Sequence, residues 1–259
     1  MEAVDMLKYL KLIIYKWQFV ISFLLLCSIS IIHLWNVKIQ HEEYQLLEYT
    51  PYTENIMIKG DSLLSILYVG IMPLVISIGV STLFYKLNLK SKFKTLIYSS
   101  FVSFIMVTLP LLINFLGMFM ILPNIKPDIV LKQFGGIFSD NPMIISLNYD
   151  YPTIFILSLI VFVGLWGIVT NVFSISLLLY FGEKVIVMFI PFILHTLFYA
   201  ITEFMIVDII VTPIHFLLIS YGIYNSQFLP SLFCISIYLV LITYVYRLSS
   251  EEKVIKVGE

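Results

Sequence analysis

Long apolar runs constrain this chain more than any other feature of its sequence. Six of them follow one another with polar segments between, at about 18–36, 62–85, 95–122, 153–181, 185–207 and 228–246. A helix that crosses a bilayer needs about 20 apolar residues. Only 12% of the residues are charged and 60% are hydrophobic, whereas a soluble domain has roughly 25% charged residues. We therefore predict an all-α integral membrane protein, with six transmembrane helices in a single domain, 1–259.

The segments between the runs are polar. Residues 1–17 place a charged side chain at about every third position, with apolar residues between them. That pattern predicts either an N-terminal amphipathic helix in the membrane interface or the solvated start of the first span. Two longer polar segments, about 37–61 and 123–151, are predicted to be loops on the outer side.

The stretch 208–227 is apolar but interrupted by Pro213 and Gly222. Together these residues frame a helix too short to cross the bilayer, and non-spanning backbone at membrane depth must be sheltered by neighbouring helices. We predict a re-entrant or interfacial helix between the fifth and sixth spans, the alternative being a loop on the membrane surface.

Lysine and arginine residues indicate the orientation. Eleven of the 15 fall in segments on the N-terminal side of the membrane, and four fall in the two long loops. Cytoplasmic segments carry the excess of positive charge, so both termini are expected in the cytoplasm, in a bacterial plasma membrane. The net charge of −1 gives no general basic surface, and we expect no nucleic-acid partner.

Catalytic motifs are missing from the sequence. We find no HExxH, GxSxG, Walker A or CxxC pattern, and each of these places specific ligands or nucleophiles at fixed spacing. Cys27 and Cys234 both lie in apolar runs, where cysteine acts as a small hydrophobic residue. We therefore expect no enzymatic activity, no cofactor and no metal in this chain.

A polar stripe follows one face of the fifth run. His195, Tyr199 and Glu203 are spaced four residues apart and share a helix face, and Asp208 and His215 follow towards the outer surface. Ionisable groups at membrane depth usually have a role. The stripe predicts either the lining of a pathway or subunit contact, or polar pairs that fix helix packing. Ligand spacing does not support a metal site among His195, Glu203 and His215.

Other polar and small residues in the runs predict architecture. Asn114 and Asn171 lie in the third and fourth runs, where interhelical hydrogen bonds are the usual role of asparagine. Gly164 and Gly167 are expected to permit close approach of a neighbouring helix.

The short basic segment between the second and third runs interleaves lysines with apolar residues. Retention of positive charge in the cytoplasm would explain the lysines but would not require the apolar residues. An alternative is a small amphipathic helix that docks a cytoplasmic partner. Its residues are Lys86, Leu87, Asn88, Leu89, Lys90, Lys92, Phe93 and Lys94.

This layout resembles the permease subunits of ABC-2-type transporters, in particular the small six-helix permeases of low-GC Gram-positive bacteria. The features that carry the resemblance are the amphipathic start, the basic loop after the second run, the tight Phe181-Gly182-Glu183-Lys184 connection, and the broken segment with Pro213 and Gly222. The resemblance is one of architecture and covers nearly the whole chain.

The resemblance implies a set of partners. Such a permease pairs with a second permease chain, identical or a sister, and with cytoplasmic ABC ATPase subunits that bind ATP and Mg. It places ATPase docking on the segment from Lys86 to Lys94. It implies export of peptides such as bacteriocins, toxins or antimicrobial peptides, or of other amphipathic substrates, in a lipid bilayer, or immunity to such peptides.

Two other classes of function stay open at the level of sequence. A proton-coupled secondary transporter would use His195, Glu203 and Asp208 as a relay, and inverted repeats, which we do not see, would favour it. A non-transporting membrane protein that confers immunity by sequestering a toxin is the other alternative.

Overall fold

The computed structural model describes residues 3–44, 50–54, 63–87, 92–125 and 149–204. Within these residues all regular secondary structure is helical, as predicted. The elements are α1 (Ala3–Tyr44), α2 (Leu63–Val75), a π-helical segment (Ile76–Ser81), α3 (Thr82–Leu87), α4 (Lys92–Ile121), α5 (Pro152–Phe181) and α6 (Val185–Phe204).

Four helices in the described part are long and apolar enough to cross a membrane. They are Tyr15–Glu43, Ile66–Leu87, Thr95–Ile121 and Pro152–Phe181, and a shorter apolar helix covers Val185–Leu197. The predicted helical class is confirmed, and these four helices fit a membrane protein. The predicted fifth run, 185–207, is helical from Val185 to Phe204, while the sixth run and the broken segment 208–227 lie outside the described residues.

The surface of the described part differs from that of a water-soluble protein. Along α4, large apolar side chains are exposed at helical spacing, while the opposite face buries Ser99, Ser103 and Asn114. An apolar surface of this extent is unfavourable in water and favourable against lipid. The exposed residues on α4 are Ile97, Tyr98, Phe101, Ile105, Leu109, Ile113, Leu116 and Met120.

α1 is one continuous helix of 42 residues, which corrects two predicted boundaries. The predicted interfacial helix at 1–17 is joined to the first span without a break. Trp17 and Trp35 are 62% and 61% exposed and are separated by about 27 Å of helix. That length is close to the hydrocarbon thickness of about 30 Å, and exposed tryptophans are typical of the two membrane interfaces.

The second correction concerns the end of α1, because residues 37–44 are helical and not part of a loop. Val37 is buried against Met118 and Leu122, and Lys38 pairs with Glu42 one turn later at 3.7 Å. Packing and the pair both favour continuation of the helix. The helix therefore outlasts the apolar run that marks its membrane crossing.

The second crossing contains a π segment that the apolar pattern did not predict. It begins three residues after Pro73, which lacks a backbone N–H, and the N–H of Thr82 donates to the carbonyl of Ser77, five residues earlier. Gly79 brings this segment close to α1, because a Cβ there would lie 2.8 Å from the Cβ of Ser22.

α4 and α5 form the most extensive helix contact in the described part. A Cβ on Gly164 would lie 2.5 Å from both Phe104 Cε2 and Thr108 Cγ2, and one on Gly167 would lie 3.2 Å from Val107 Cγ2. The close approach predicted at these glycines is confirmed.

The two ends of the bundle are distinct. At one end, Gly182 takes a left-handed φ of 74° and its N–H donates to the Leu178 carbonyl at 3.0 Å, so that α6 can start at Val185. This confirms the predicted tight connection. At the other end, residues 50–54 fold over the bundle, where Tyr52 is buried and its ring packs edge-on against Phe119.

Candidate functional site

Two features of the bundle are candidates for function: a charged cluster at one end and a chain of buried polar groups inside. The charged cluster consists of Tyr15, Tyr85, Lys86 and Glu183. Lys86, the penultimate residue of α3, forms an ion pair with Glu183 in the turn between α5 and α6. Its Nζ lies 5.5 Å from the ring centroid of Tyr15 and 5.8 Å from that of Tyr85. We call this group the Lys86 cluster.

The Lys86 cluster connects three parts of the fold. Tyr15 belongs to α1, Lys86 to α3, and Glu183 to the turn between α5 and α6. Both side chains of the ion pair are about three-quarters covered, so solvent screens the pair less than it would at an open surface. The cluster therefore connects the end of α3 to α1 and to the α5–α6 turn.

The predicted docking segment flanks this cluster. Lys86 and Leu87 close α3, while Lys92, Phe93 and Lys94 form the first turn of α4. Asn88, Leu89 and Lys90 lie outside the described residues, as do the side chains of 92–94. α3 and α4 thus contain the two ends of the predicted docking segment, and only residues 88–91 separate them.

Of the polar stripe predicted on the fifth run, the structure describes only the side chain of His195. This residue lies ten positions into α6, about 15 Å from the turn, and is 3% exposed. Tyr199 and Glu203 continue the same face of α6 by their spacing. Their side chains, and all of Asp208 and His215, lie outside the described residues.

Deeper in the bundle, Asn171 of α5 joins two other helices. Ser81 Oγ donates to Asn171 Oδ1 at 3.0 Å, and Asn171 Nδ2 donates to Ser99 Oγ at 2.8 Å. All three residues are fully buried. The interhelical hydrogen bonding predicted for Asn171 is confirmed, and it links the π segment, α4 and α5 at a single level.

Further hydroxyl residues extend this level in both directions along the three helices. They recur four residues apart on the π segment and on α4, which places them on one face of each element. We call the set the polar seam; its buried members are Ser77, Ser81, Thr95, Ser99, Ser103, Thr170, Asn171 and Ser174. Within the seam, Ser99 lies about 10 Å from the start of α4 and Asn171 about 15 Å from the end of α5, the ends nearest the Lys86 cluster.

A second asparagine acts between α1 and α4. Asn114 Nδ2 donates to the Ser30 carbonyl at 2.9 Å and lies 3.2 Å from His33 Nδ1. This confirms the prediction for Asn114. His33 is two residues before Trp35, so the contact between Asn114 and His33 lies near the end of the bundle that carries residues 50–54.

Sequence reasoning missed the partners in both features. No role was predicted from the sequence for Ser81 and Ser99. Serines at four-residue spacing within apolar runs do indicate a polar helix face. Glu183 was noted only as part of a tight turn, and nothing in the sequence indicates its pairing with Lys86. Among the described residues, no group of three His, Cys, Asp or Glu side chains is placed to hold a metal ion.

These features define a helical membrane protein whose crossings are joined by buried polar groups and by a charged cluster at one end. No family model, no curated protein and no solved structure matches the chain. The likeness to ABC-2 permeases therefore rests on the layout of the sequence alone.

Proposed function

We propose that this chain is the membrane-spanning permease subunit of an ATP-driven ABC exporter. It works with a second permease chain and with cytoplasmic ATPase subunits. Its substrates are peptides or other amphipathic molecules, which leave the cell. The chain lies in a bacterial plasma membrane with both termini in the cytoplasm, and ATP hydrolysis takes place in the partner.

The observation that carries this proposal is the position of the Lys86 cluster beside the short connection between α3 and α4. A permease without an ATPase of its own must receive movement from a partner outside the bilayer. A load applied to 88–91 acts on the ends of α3 and α4 at once. Through Lys86 and Glu183 it also reaches the turn between α5 and α6.

The distribution of lysines also supports docking of the ATPase at the end of the bundle that carries the Lys86 cluster. Lys86, Lys92, Lys94 and Lys184 all lie where α3, α4, α5 and α6 meet, at one end of the bundle. Positive residues are retained on the cytoplasmic side, which is the side where an ATPase operates. The opposite end carries residues 50–54, with Glu54 among them.

Purification with a matched charge control tests the proposal. The tagged chain is isolated from its native membranes in mild detergent, and vanadate-sensitive ATPase activity in the eluate is measured. The variant Lys90→Glu/Lys92→Glu/Lys94→Glu is expected to reduce the activity at least about tenfold, because like charges at an interface are strongly unfavourable.

The control variant reverses three charges elsewhere on the predicted cytoplasmic side: Lys8→Glu/Lys253→Glu/Lys256→Glu. It is expected to keep the activity of the unmodified chain. An eluate in which the unmodified chain carries no ATPase, under conditions that keep other transporters intact, would contradict the proposal. Equal loss in both triple variants would remove the docking role of the segment.

One observation favours a second candidate, a proton-coupled transporter. His195 is buried in α6 about 15 Å from the helix start, a depth at which an ionisable side chain usually has a role. This candidate expects the chain to purify without an ATPase. It also expects transport to stop when a proton ionophore is added and when His195 is replaced by Asn.

A further inference from the structure

Ser77 differs from the other serines of the polar seam. Ser99, Ser103 and Ser174 each donate to a carbonyl of their own helix, at 3.1, 2.9 and 2.8 Å. Ser77 Oγ is completely buried, and no group in the described part of the chain forms a hydrogen bond with it. A hydroxyl at membrane depth has no bulk water to replace the missing partner.

The surroundings of Ser77 are polar. Ser77 lies four residues before Ser81 and therefore on the same face of the segment, the face from which Ser81 reaches Asn171 and Ser99. On α5, Asn171 is four residues beyond Gly167. A Cβ at Gly167 would lie 3.2 Å from Val107 Cγ2 and 3.5 Å from both Ile76 Cδ1 and the Ser103 carbonyl oxygen, so the helices are closely packed here and a backbone acceptor lies at the level of Ser77.

We propose that the seam holds a buried water molecule at Ser77, between the π segment, α4 and α5. Buried waters bind where two to four polar groups converge that would otherwise be unsatisfied. Ser77 Oγ supplies a donor and an acceptor. The hydroxyl of Ser81, one turn away, supplies a second acceptor, and the carbonyl side of Ser103 lies beside Gly167.

The water gives the π segment a role in movement. Ser81 Oγ lies 3.4 Å from the Ile76 carbonyl and the Thr82 N–H bonds to the Ser77 carbonyl, both at a spacing of five residues. A bound water can form hydrogen bonds with backbone groups that lose their partner when the helix changes between five-residue and four-residue hydrogen bonding. The second crossing can then alter its length beside the Lys86 cluster. This inference does not depend on the proposed function.

Two serine variants test the site by the sign of their effect. In the full chain in detergent, Ser77→Ala is expected to lower the thermal unfolding midpoint by roughly 2–6 °C, because it removes an anchor of the water. Ser176→Ala is the matched control: Ser176 is also buried, but its hydroxyl bonds its own helix at the Val172 carbonyl, 2.8 Å away. We expect the control to change the midpoint by less than about 1 °C.

A dry site gives the opposite result. If no water is bound, Ser77→Ala removes an unsatisfied hydroxyl, and the midpoint stays the same or rises. That outcome overturns the inference.

A second measurement uses the unmodified protein and does not depend on a variant that folds. Brief X-ray radiolysis makes hydroxyl radicals from bound water in place, and mass spectrometry then measures oxidation in the segments 76–81 and 174–179. Oxidation of 76–81 well above that of 174–179 supports the site. Equal background oxidation in the two buried segments contradicts it.

Discussion

At the scale of single residues, the amide of Asn171 is the best-supported interhelical contact. It accepts from Ser81 and donates to Ser99, so one side chain uses both of its functions between two other elements. The sequence predicted an interhelical bond at this position, because asparagine in an apolar run needs a partner. It did not predict which partner, since serines occur in most of the runs and only packing selects among them.

Replacement of Asn171 is expected to loosen this level of the bundle. Asn171→Leu removes both interhelical bonds, while Ser99 retains its bond to the Leu96 carbonyl. The expected loss is about 1–2 kcal/mol in the free energy of unfolding, which corresponds to a midpoint lower by roughly 2–8 °C in the same detergent.

The control for this change is Asn36→Leu, because Asn36 is exposed on α1. It makes the same chemical change outside the bundle interior and should leave the midpoint within about 1 °C. If both variants melt alike, the hydrogen bonds of Asn171 do not stabilise the fold.

At the scale of helices, the apolar runs predicted where the chain crosses the membrane better than they predicted where each helix ends. The fourth run, 153–181, begins within one residue of α5, and the third, 95–122, is close to α4. Hydropathy reports contact with lipid, however, and a helix can continue into water. For this reason the sequence placed the end of the first span at residue 36, while α1 continues to Tyr44 with Val37 packed on α4.

The π segment illustrates what local patterns omit. Its residues, Ile76–Ser81, contain no proline and continue the apolar run without a change that marks the five-residue bonding. Its five-residue bonding is favoured by contacts distant in the chain, including the approach of Gly79 to Ser22 and the bond from Ser81 to Asn171. Such contacts become visible only after the helices have been packed together.

Two glycine-to-alanine substitutions should act with opposite signs. Gly164→Ala is expected to destabilise the fold by about 1–3 kcal/mol, because its Cβ would collide with Phe104 and Thr108 at 2.5 Å and force α4 from α5. Gly70→Ala meets nothing within 4 Å, and should stabilise the fold by about 0.5–1 kcal/mol because alanine is the better helix former.

Thermal unfolding of the two variants in one detergent measures this difference. A higher midpoint for Gly70→Ala and a lower one for Gly164→Ala would support close packing of α4 on α5. An unchanged or higher midpoint for Gly164→Ala would mean that Phe104 and Thr108 shift without loss of stability, and that the close approach at Gly164 is not needed for stability.

At the scale of the whole molecule, the described bundle has an apolar core that contains buried polar groups, and two different ends. α4 runs from the end that carries the Lys86 cluster to the end where the Tyr52 hydroxyl donates to Asn124 Oδ1 at 3.3 Å. The lipid-facing surface lies between these ends. The proposed orientation puts the Lys86 end in the cytoplasm, and the two ends can be tested separately for access from outside the cell.

Cysteine labelling in intact cells measures this orientation. In a chain with Cys27→Ser and Cys234→Ser, a single cysteine is introduced as Glu43→Cys or as Lys184→Cys. Both positions are exposed, the first about 12 Å of helix beyond Trp35 and the second in the turn beside the Lys86 cluster. Because the two sites lie at opposite ends, a membrane-impermeant maleimide is expected to label the Glu43→Cys chain in intact cells and the Lys184→Cys chain only after the membrane is opened. The reverse pattern would place the Lys86 cluster outside the cell, where a cytoplasmic ATPase has no access to it, and labelling of both chains in intact cells would contradict the crossings themselves.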